Sequence, residues 1–192
     1  MSIKDWKKDI FTIPNLLSLF RLILIPVYVA IYLKAQEAAD YYLAAGILAV
    51  SCLTDMIDGK IARHFNMISS LGKLLDPVAD KATQFSLIIC LTKQYSILWY
   101  LVGLFVIKES FQLIAGGILY RKGMILKGAL WGGKICTTVL FLSLIVMVMM
   151  PNLKFQTVQI IFWTDLLFLL IAFADYVIAY FFQPSKFQPV EK

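Results

Sequence analysis

Residues 55–81 read DMIDGKIARHFNMISSLGKLLDPVADK. Four carboxylates, Asp55, Asp58, Asp76 and Asp80, stand here between two long apolar runs. The whole chain has 192 residues, 60% of them hydrophobic and 16% charged, with a mean hydropathy of +0.80. That is far more apolar than a soluble domain and places the chain in a membrane.

Working outward from the stretch, apolar runs long enough to cross hydrocarbon, about 20 residues as a helix, are Leu16–Leu33, Tyr41–Ile57, Leu71–Leu91, Ile97–Tyr120, Ile135–Met150 and Val158–Phe182. No strand alternation interrupts them, so helices are what satisfy the backbone in lipid. The expectation is an all-α integral membrane protein of about six spans, a single domain over residues 1–192. Residues 1–12 mix Trp6, Ile10 and Phe11 with Lys4, Lys7 and Lys8, the composition of a short helix lying in the headgroup region. They lack the small-residue cleavage site of a signal peptide. Residues 184–192 read as a polar, frayed tail, and Lys122–Gly133, with Gly123, Gly128, Gly132 and Gly133, as the most irregular stretch.

Basic residues set orientation. Lys4, Lys7 and Lys8, then Lys60, Arg63 and Lys73, then Arg121, Lys122 and Lys127 alternate with loops holding only Lys34, Lys93 and Lys154. Both termini and the aspartate-bearing loop are therefore expected on the cytoplasmic side of the cell membrane. The formal net charge of +6 fits attraction to anionic membrane lipids; no soluble basic domain exists to bind nucleic acid. Cys52, Cys90 and Cys136 are isolated small packing residues. His64 is the only histidine, so any metal must be held mainly by oxygen, which favours hard divalent cations.

Asp55 and Asp58 are three residues apart and Asp76 and Asp80 four, so on helices each pair shares one face about one turn apart. A short connection makes those helices antiparallel neighbours and brings the pairs together near one membrane surface. A carboxylate at the centre of a span costs about 2.5–3.5 kcal/mol, and neighbouring like charges add to it. Divalent cations remove both penalties, and four carboxylates suit two Mg²⁺-class ions. The competing reading is local: Asp58-Gly59 as the end of one helix and Asp76-Pro77 as the start of the next. It leaves Asp55 and Asp80 without a reason.

The pattern D-x2-D-G-x2-A-R-x8-G-x3-D-x3-D is filled at Asp55, Asp58, Gly59, Ala62, Arg63, Gly72, Asp76 and Asp80. It resembles the signature of the CDP-alcohol phosphotransferases. Gly59, Ala62 and Gly72 allow close approach of backbone or ligand, and Arg63 can bond a pyrophosphate. The resemblance implies transfer from a CDP-linked donor to an alcohol with release of CMP, a bound CDP group near Asp58, Gly59, Ala62, Arg63 and Gly72, and two Mg²⁺ or Mn²⁺ ions. As the resemblance implies, Asp55, Asp58 and Asp76 hold one ion and Asp55, Asp76 and Asp80 the other, with Asp80 also the base for the acceptor hydroxyl. Metal binding makes a carboxylate a weaker base, a tension in that double role. It also implies a homodimer.

TIPNLLSLFRLILIPVY, opening the first span, is similar to the start of the bacterial phosphatidylglycerophosphate synthases, with Pro14, Asn15, Ser18 and Arg21 at the matching places. Asn15, Ser18 and Arg21 fall three apart on one helix face. An arginine in a span needs an anion, such as the phosphate of glycerol 3-phosphate, or must snorkel to the interface. GGKICTT, with Lys134 and Thr137, is similar to the element that opens the fifth helix of those synthases, and Lys134 is a second candidate phosphate contact. One departure is Lys108-Glu109 where those synthases usually carry Arg-Glu; lysine lacks the bidentate grip.

The acceptor expected is thus glycerol 3-phosphate, taking its phosphatidyl group from CDP-diacylglycerol. The alternative acceptor is phosphatidylglycerol, as in the cardiolipin synthases that share the core motif. Asp165 and Asp175 are further carboxylates in the last span, too far apart to form one pair; Asp175 reads as structural, near the cytoplasmic end. A cation carrier would instead place carboxylates near the bilayer midplane within two matching halves, and no repeat is visible.

Overall fold

A run such as residues 15–32, polar at Asn15, Ser18, Arg21, Tyr28 and Tyr32 and apolar elsewhere, can bury its polar stripe only by wrapping it in other helices and giving the rest to lipid. The computed structural model places those five side chains inside and leaves Leu16, Phe20, Ile23 and Val27 about half exposed. The structure describes the backbone of residues 13–64, 72–128 and 130–189, and the side chains of 15–54, 77–128 and 130–189. The interfacial helix expected over residues 1–12 lies outside the described residues.

Six α-helices make up the described chain: α1 (Ile13–Lys34), α2 (Ala38–His64), α3 (Gly72–Thr92), α4 (Trp99–Arg121), α5 (Trp131–Met149) and α6 (Phe155–Phe182). Each of the expected spans falls on one of them, to within four residues at either end except that α2 runs seven residues past Ile57 to His64. Among the described residues, α1, α4, α5 and α6 are long and apolar enough to cross a membrane by themselves. In α2 the described residues Ala38–Thr54 are apolar as well. The all-α membrane fold is therefore as expected. The local reading of the aspartates is overturned: α2 continues through Asp58-Gly59 to His64, and α3 begins at Gly72 with Pro77 inside it. Neither Asp58 nor Asp76 ends or starts a helix.

The chain forms two compact units, residues up to 93 with 148–151, and residues 94–147 with those from 152 onward. In the first, α1 packs against both α2 and α3, around a core that includes Tyr32, Ala44, Ala79, Leu87, Ile88 and Leu91. Its polar end-groups are closed locally. The backbone N–H groups of Gln36 and Glu37 donate to Asp40 Oδ2 at 3.0 and 3.2 Å, capping the start of α2 just ahead of its apolar run. Lys93 Nζ donates to the carbonyls of Leu33 and Ala35 at 2.8 and 3.1 Å, satisfying the end of α1.

In the second unit a 3-10 turn (Ser96–Leu98) leads into α4. Two short strands, β1 (Met124–Leu126) and β2 (Phe187–Pro189), pair antiparallel with Met124 opposite Pro189 and Leu126 opposite Phe187. The segment after Pro184, expected to be frayed, is thus a 3-10 turn and a paired strand as far as Pro189. Three-residue strands are too short to leave an alternation signal, and their partners lie some sixty residues apart in the chain. Gly123 and Gly128 flank β1 at φ 75° and 85°, the left-handed region where glycine carries no steric cost. Phe187 is buried, with its ring centroid 5.5 Å from that of Tyr180.

Candidate active site

The backbone carries Asp55, Asp58, Gly59, Ala62 and Arg63 on the last turns of α2, and Gly72, Asp76 and Asp80 on the first turns of α3. That is the helix–connection–helix arrangement the spacing predicts. The side chains of Asp55, Asp58, Gly59, Ala62, Arg63, Gly72 and Asp76 lie outside the described residues. Asp80 is described: its side chain is half exposed, at 50%.

The third wall is α1. Asn15, Ser18 and Arg21, chosen for their three-residue spacing, are exposed by only 3%, 0% and 3%. Arg21 does not snorkel. Its Nη1 donates to Asp80 Oδ1 at 2.6 Å, a charge-assisted bond of the short kind. The helix expected to face the acceptor phosphate therefore brings its arginine to the carboxylate singled out as the base.

Beneath this pair lies a polar layer that the sequence reading missed. Ser51, Thr54, Thr83 and Gln84 are buried at 4%, 9%, 6% and 3%. Thr54 Oγ1 donates to the Val50 carbonyl and Thr83 Oγ1 to that of Ala79, each at 2.8 Å, so these hydroxyls are satisfied within their own helices. The available signal was helical: Ser51 and Thr54 continue the face of Asp55 and Asp58, and Thr83 and Gln84 follow Asp80 by three and four residues.

Lys134 belongs to the second unit and is exposed. Its Nζ stands 5.4 Å from the centroid of the Trp131 ring, a cation–π distance. The preceding glycines have a packing reason. A Cβ on Gly132 would lie 2.9 Å from Asp175 Oδ2, and one on Gly133 would lie 2.7 Å from Tyr176 Oη and 2.9 Å from its ring. Asp175 Oδ2 also accepts from the Gly132 N–H at 3.3 Å, placing a carboxylate at the start of α5. The structural reading of Asp175 fits this contact. Lys108, 2% exposed, bonds its neighbour Glu109 at 2.6 Å and stands 5.6 Å from the Tyr176 ring centroid.

The family profile described as CDP-alcohol phosphatidyltransferase matches residues 11–172. A protein of Streptomyces coelicolor named cardiolipin synthase (CMP-forming) is 38% identical over 117 residues, 59% of this chain and 54% of that protein. A Mycobacterium tuberculosis protein named probable phosphatidylglycerophosphate synthase is 33% identical over 132 residues, 68% of this chain and 62% of the other. A Shigella flexneri protein named CDP-diacylglycerol–glycerol-3-phosphate 3-phosphatidyltransferase is 33% identical over 159 residues, 78% of this chain and 84% of the other. The matches thus span 54% and 62% of the first two relatives and most of the third. With most of its length matched, from the polar stripe of α1 through both aspartate-bearing helices into α6, the chain belongs to the CDP-alcohol phosphatidyltransferase family.

Proposed function

We propose that this protein is a phosphatidyltransferase that moves the phosphatidyl group of CDP-diacylglycerol to the hydroxyl of sn-glycerol 3-phosphate, giving phosphatidylglycerophosphate and CMP. The observation that carries the reading is the buried polar stripe Asn15, Ser18 and Arg21 on α1, with Arg21 bonded to Asp80. A buried arginine next to the acid that would accept the hydroxyl proton suits an acceptor that is itself a phosphate ester. The Shigella relative, matched over 84% of its length, carries that activity in its name.

Asp55, Asp58, Asp76 and Asp80 fit a divalent metal in their chemistry: they are an all-oxygen donor set on the last turns of α2 and the first turns of α3, and Asp80 is half exposed. They would hold two Mg²⁺ or Mn²⁺ ions, which when bound supply charge neutralisation to the diphosphate. Arg63 bonds the diphosphate, and Gly59, Ala62 and Gly72 leave room for the CDP group against the helices. Asn15, Ser18 and Arg21 orient the acceptor phosphate. Its hydroxyl oxygen attacks the β-phosphorus, the bond from that phosphorus to the CMP oxygen breaks, and the hydroxyl proton passes to Asp80. The basic loops put this site on the cytoplasmic side. A homodimer is part of the proposal and is read by crosslinking in native membranes.

The experiment offers purified protein, CDP-diacylglycerol and Mg²⁺ or Mn²⁺ to glycerol 3-phosphate, phosphatidylglycerol or inositol phosphate in parallel. Phosphatidylglycerophosphate with equimolar CMP is expected. Cardiolipin as product selects the second reading, which the Streptomyces relative's name favours. No CMP with any alcohol overturns both, and ion flux in vesicles without CMP would point to a carrier.

A further inference from the structure

Two aspartates of α6 face α5 within the second unit. Asp175 Oδ2 accepts from the Gly132 N–H at 3.3 Å, and Asp165 Oδ2 lies 2.6 Å from Ser143 Oγ. Asp165 and Asp175 are ten residues apart on α6, and Gly132 and Ser143 eleven apart on α5. With a rise of about 1.5 Å per residue the two spacings match for antiparallel helices. Both contacts therefore hold one register of α5 against α6.

The two carboxyls meet different surroundings. Asp175 is 29% exposed, with Lys186 Nζ 3.9 Å from its Oδ1 and an orphan helix-start N–H on Oδ2. Asp165 is 1% exposed in the middle of an apolar helix, and its Oδ1 has no hydrogen-bond partner among the described residues.

Proton counting then decides its form. Ser143 Oγ lies within hydrogen-bond distance of two oxygens, Asp165 Oδ2 at 2.6 Å and the Leu140 carbonyl at 2.9 Å. A hydroxyl has one proton, and neither a carbonyl nor a carboxylate has any. One proton forked between two acceptors makes two weakened bonds, whereas 2.6 and 2.9 Å are full hydrogen-bond distances; a second proton is available from the carboxyl group. We infer that Asp165 is held as a neutral carboxylic acid, donating from Oδ2 to Ser143 Oγ, whose own proton goes to the Leu140 carbonyl. An ionised Asp165 would carry a full charge in hydrocarbon with a single donor, the arrangement that apolar surroundings penalise most. Asp165 is thus a positioning residue. Together with Asp175 it sets where the start of α5, and Lys134 on it, stands against α6.

The test is infrared difference spectroscopy of the full-length protein in lipid nanodiscs, wild type minus Asp165→Asn, in H₂O and ²H₂O near neutral pH. Loss of one protonated-carboxyl C=O band, shifted down in ²H₂O, is expected, with the carboxylate bands unchanged. Loss of carboxylate bands instead overturns the inference. The asparagine amide can replace the O–H donor, so Asp165→Asn should keep the wild-type unfolding midpoint while Asp165→Leu lowers it; equal loss in both overturns the latch. Should Asp165→Asn fail to accumulate, Ser143→Ala serves. The acid band should persist and move to higher frequency, and the absence of any such response overturns the assignment.

Discussion

Arg21 Nη1 lies 2.6 Å from Asp80 Oδ1, a bond between side chains 59 positions apart that joins α1 to α3. The partners are unequal: the arginine is 3% exposed and the aspartate 50%. The guanidinium is enclosed by the fold, and the carboxylate is the member left exposed.

Asp80→Asn keeps an oxygen that accepts from Arg21, so the protein should insert and unfold as the wild type does. Removing the proton acceptor is expected to lower CMP release by roughly 10²–10⁴-fold, the usual range for a positioned acid or base. Arg21→Gln leaves the carboxylate in place but unguided. A misplacement of that kind costs roughly 10²-fold in turnover, with Arg21→Lys intermediate. Paired CMP-release and thermal-unfolding assays check both.

Chelation should abolish turnover, and Mg²⁺ or Mn²⁺ should restore it. A count that does not depend on turnover is Mn²⁺ bound per chain by electron paramagnetic resonance. About two ions are expected in the wild type if four carboxylates share them, and fewer in Asp55→Asn or Asp76→Asn.

The glycines divide by what a methyl group would meet. At Gly133 it would press on the buried ring of Tyr176, 4% exposed, which has nowhere to go. Gly133→Ala should destabilise by about 1–3 kcal/mol, the usual cost of overpacking. At Gly103, inside α4, nothing lies within 4 Å, so Gly103→Ala should be neutral or stabilising by up to about 1 kcal/mol. Unfolding midpoints of the two variants, measured side by side, check the contrast.

Asp40 supplies a pH signature. The Gln36 and Glu37 N–H groups hold its carboxyl below the ordinary carboxylate value. A group lowered in the folded state stabilises fully above its unfolded pKa of about 3.9, and that stabilisation is lost as pH falls through the folded value. The midpoint gap between wild type and Asp40→Ala should therefore be constant across neutral pH and close in acid. A gap that widens in acid would refute the cap.

The helices were legible in residues 55–81 and their flanks because helix formation in lipid is a local matter: every backbone group bonds within its own segment, so length, hydropathy and three- and four-residue spacing carry the information. The buried face of α1 could be read in the same way from Asn15, Ser18 and Arg21. What those residues touch could not be. The Arg21–Asp80 bond, the Asp175 contact that requires glycine at 132, and the ribbon of Met124–Leu126 with Phe187–Pro189 all join positions more than forty residues apart. Such pairings leave no periodic trace in the chain. Only the packing of whole helices chooses which acid meets which donor, and so decides that Arg21 turns inward to a carboxylate rather than outward to the membrane surface.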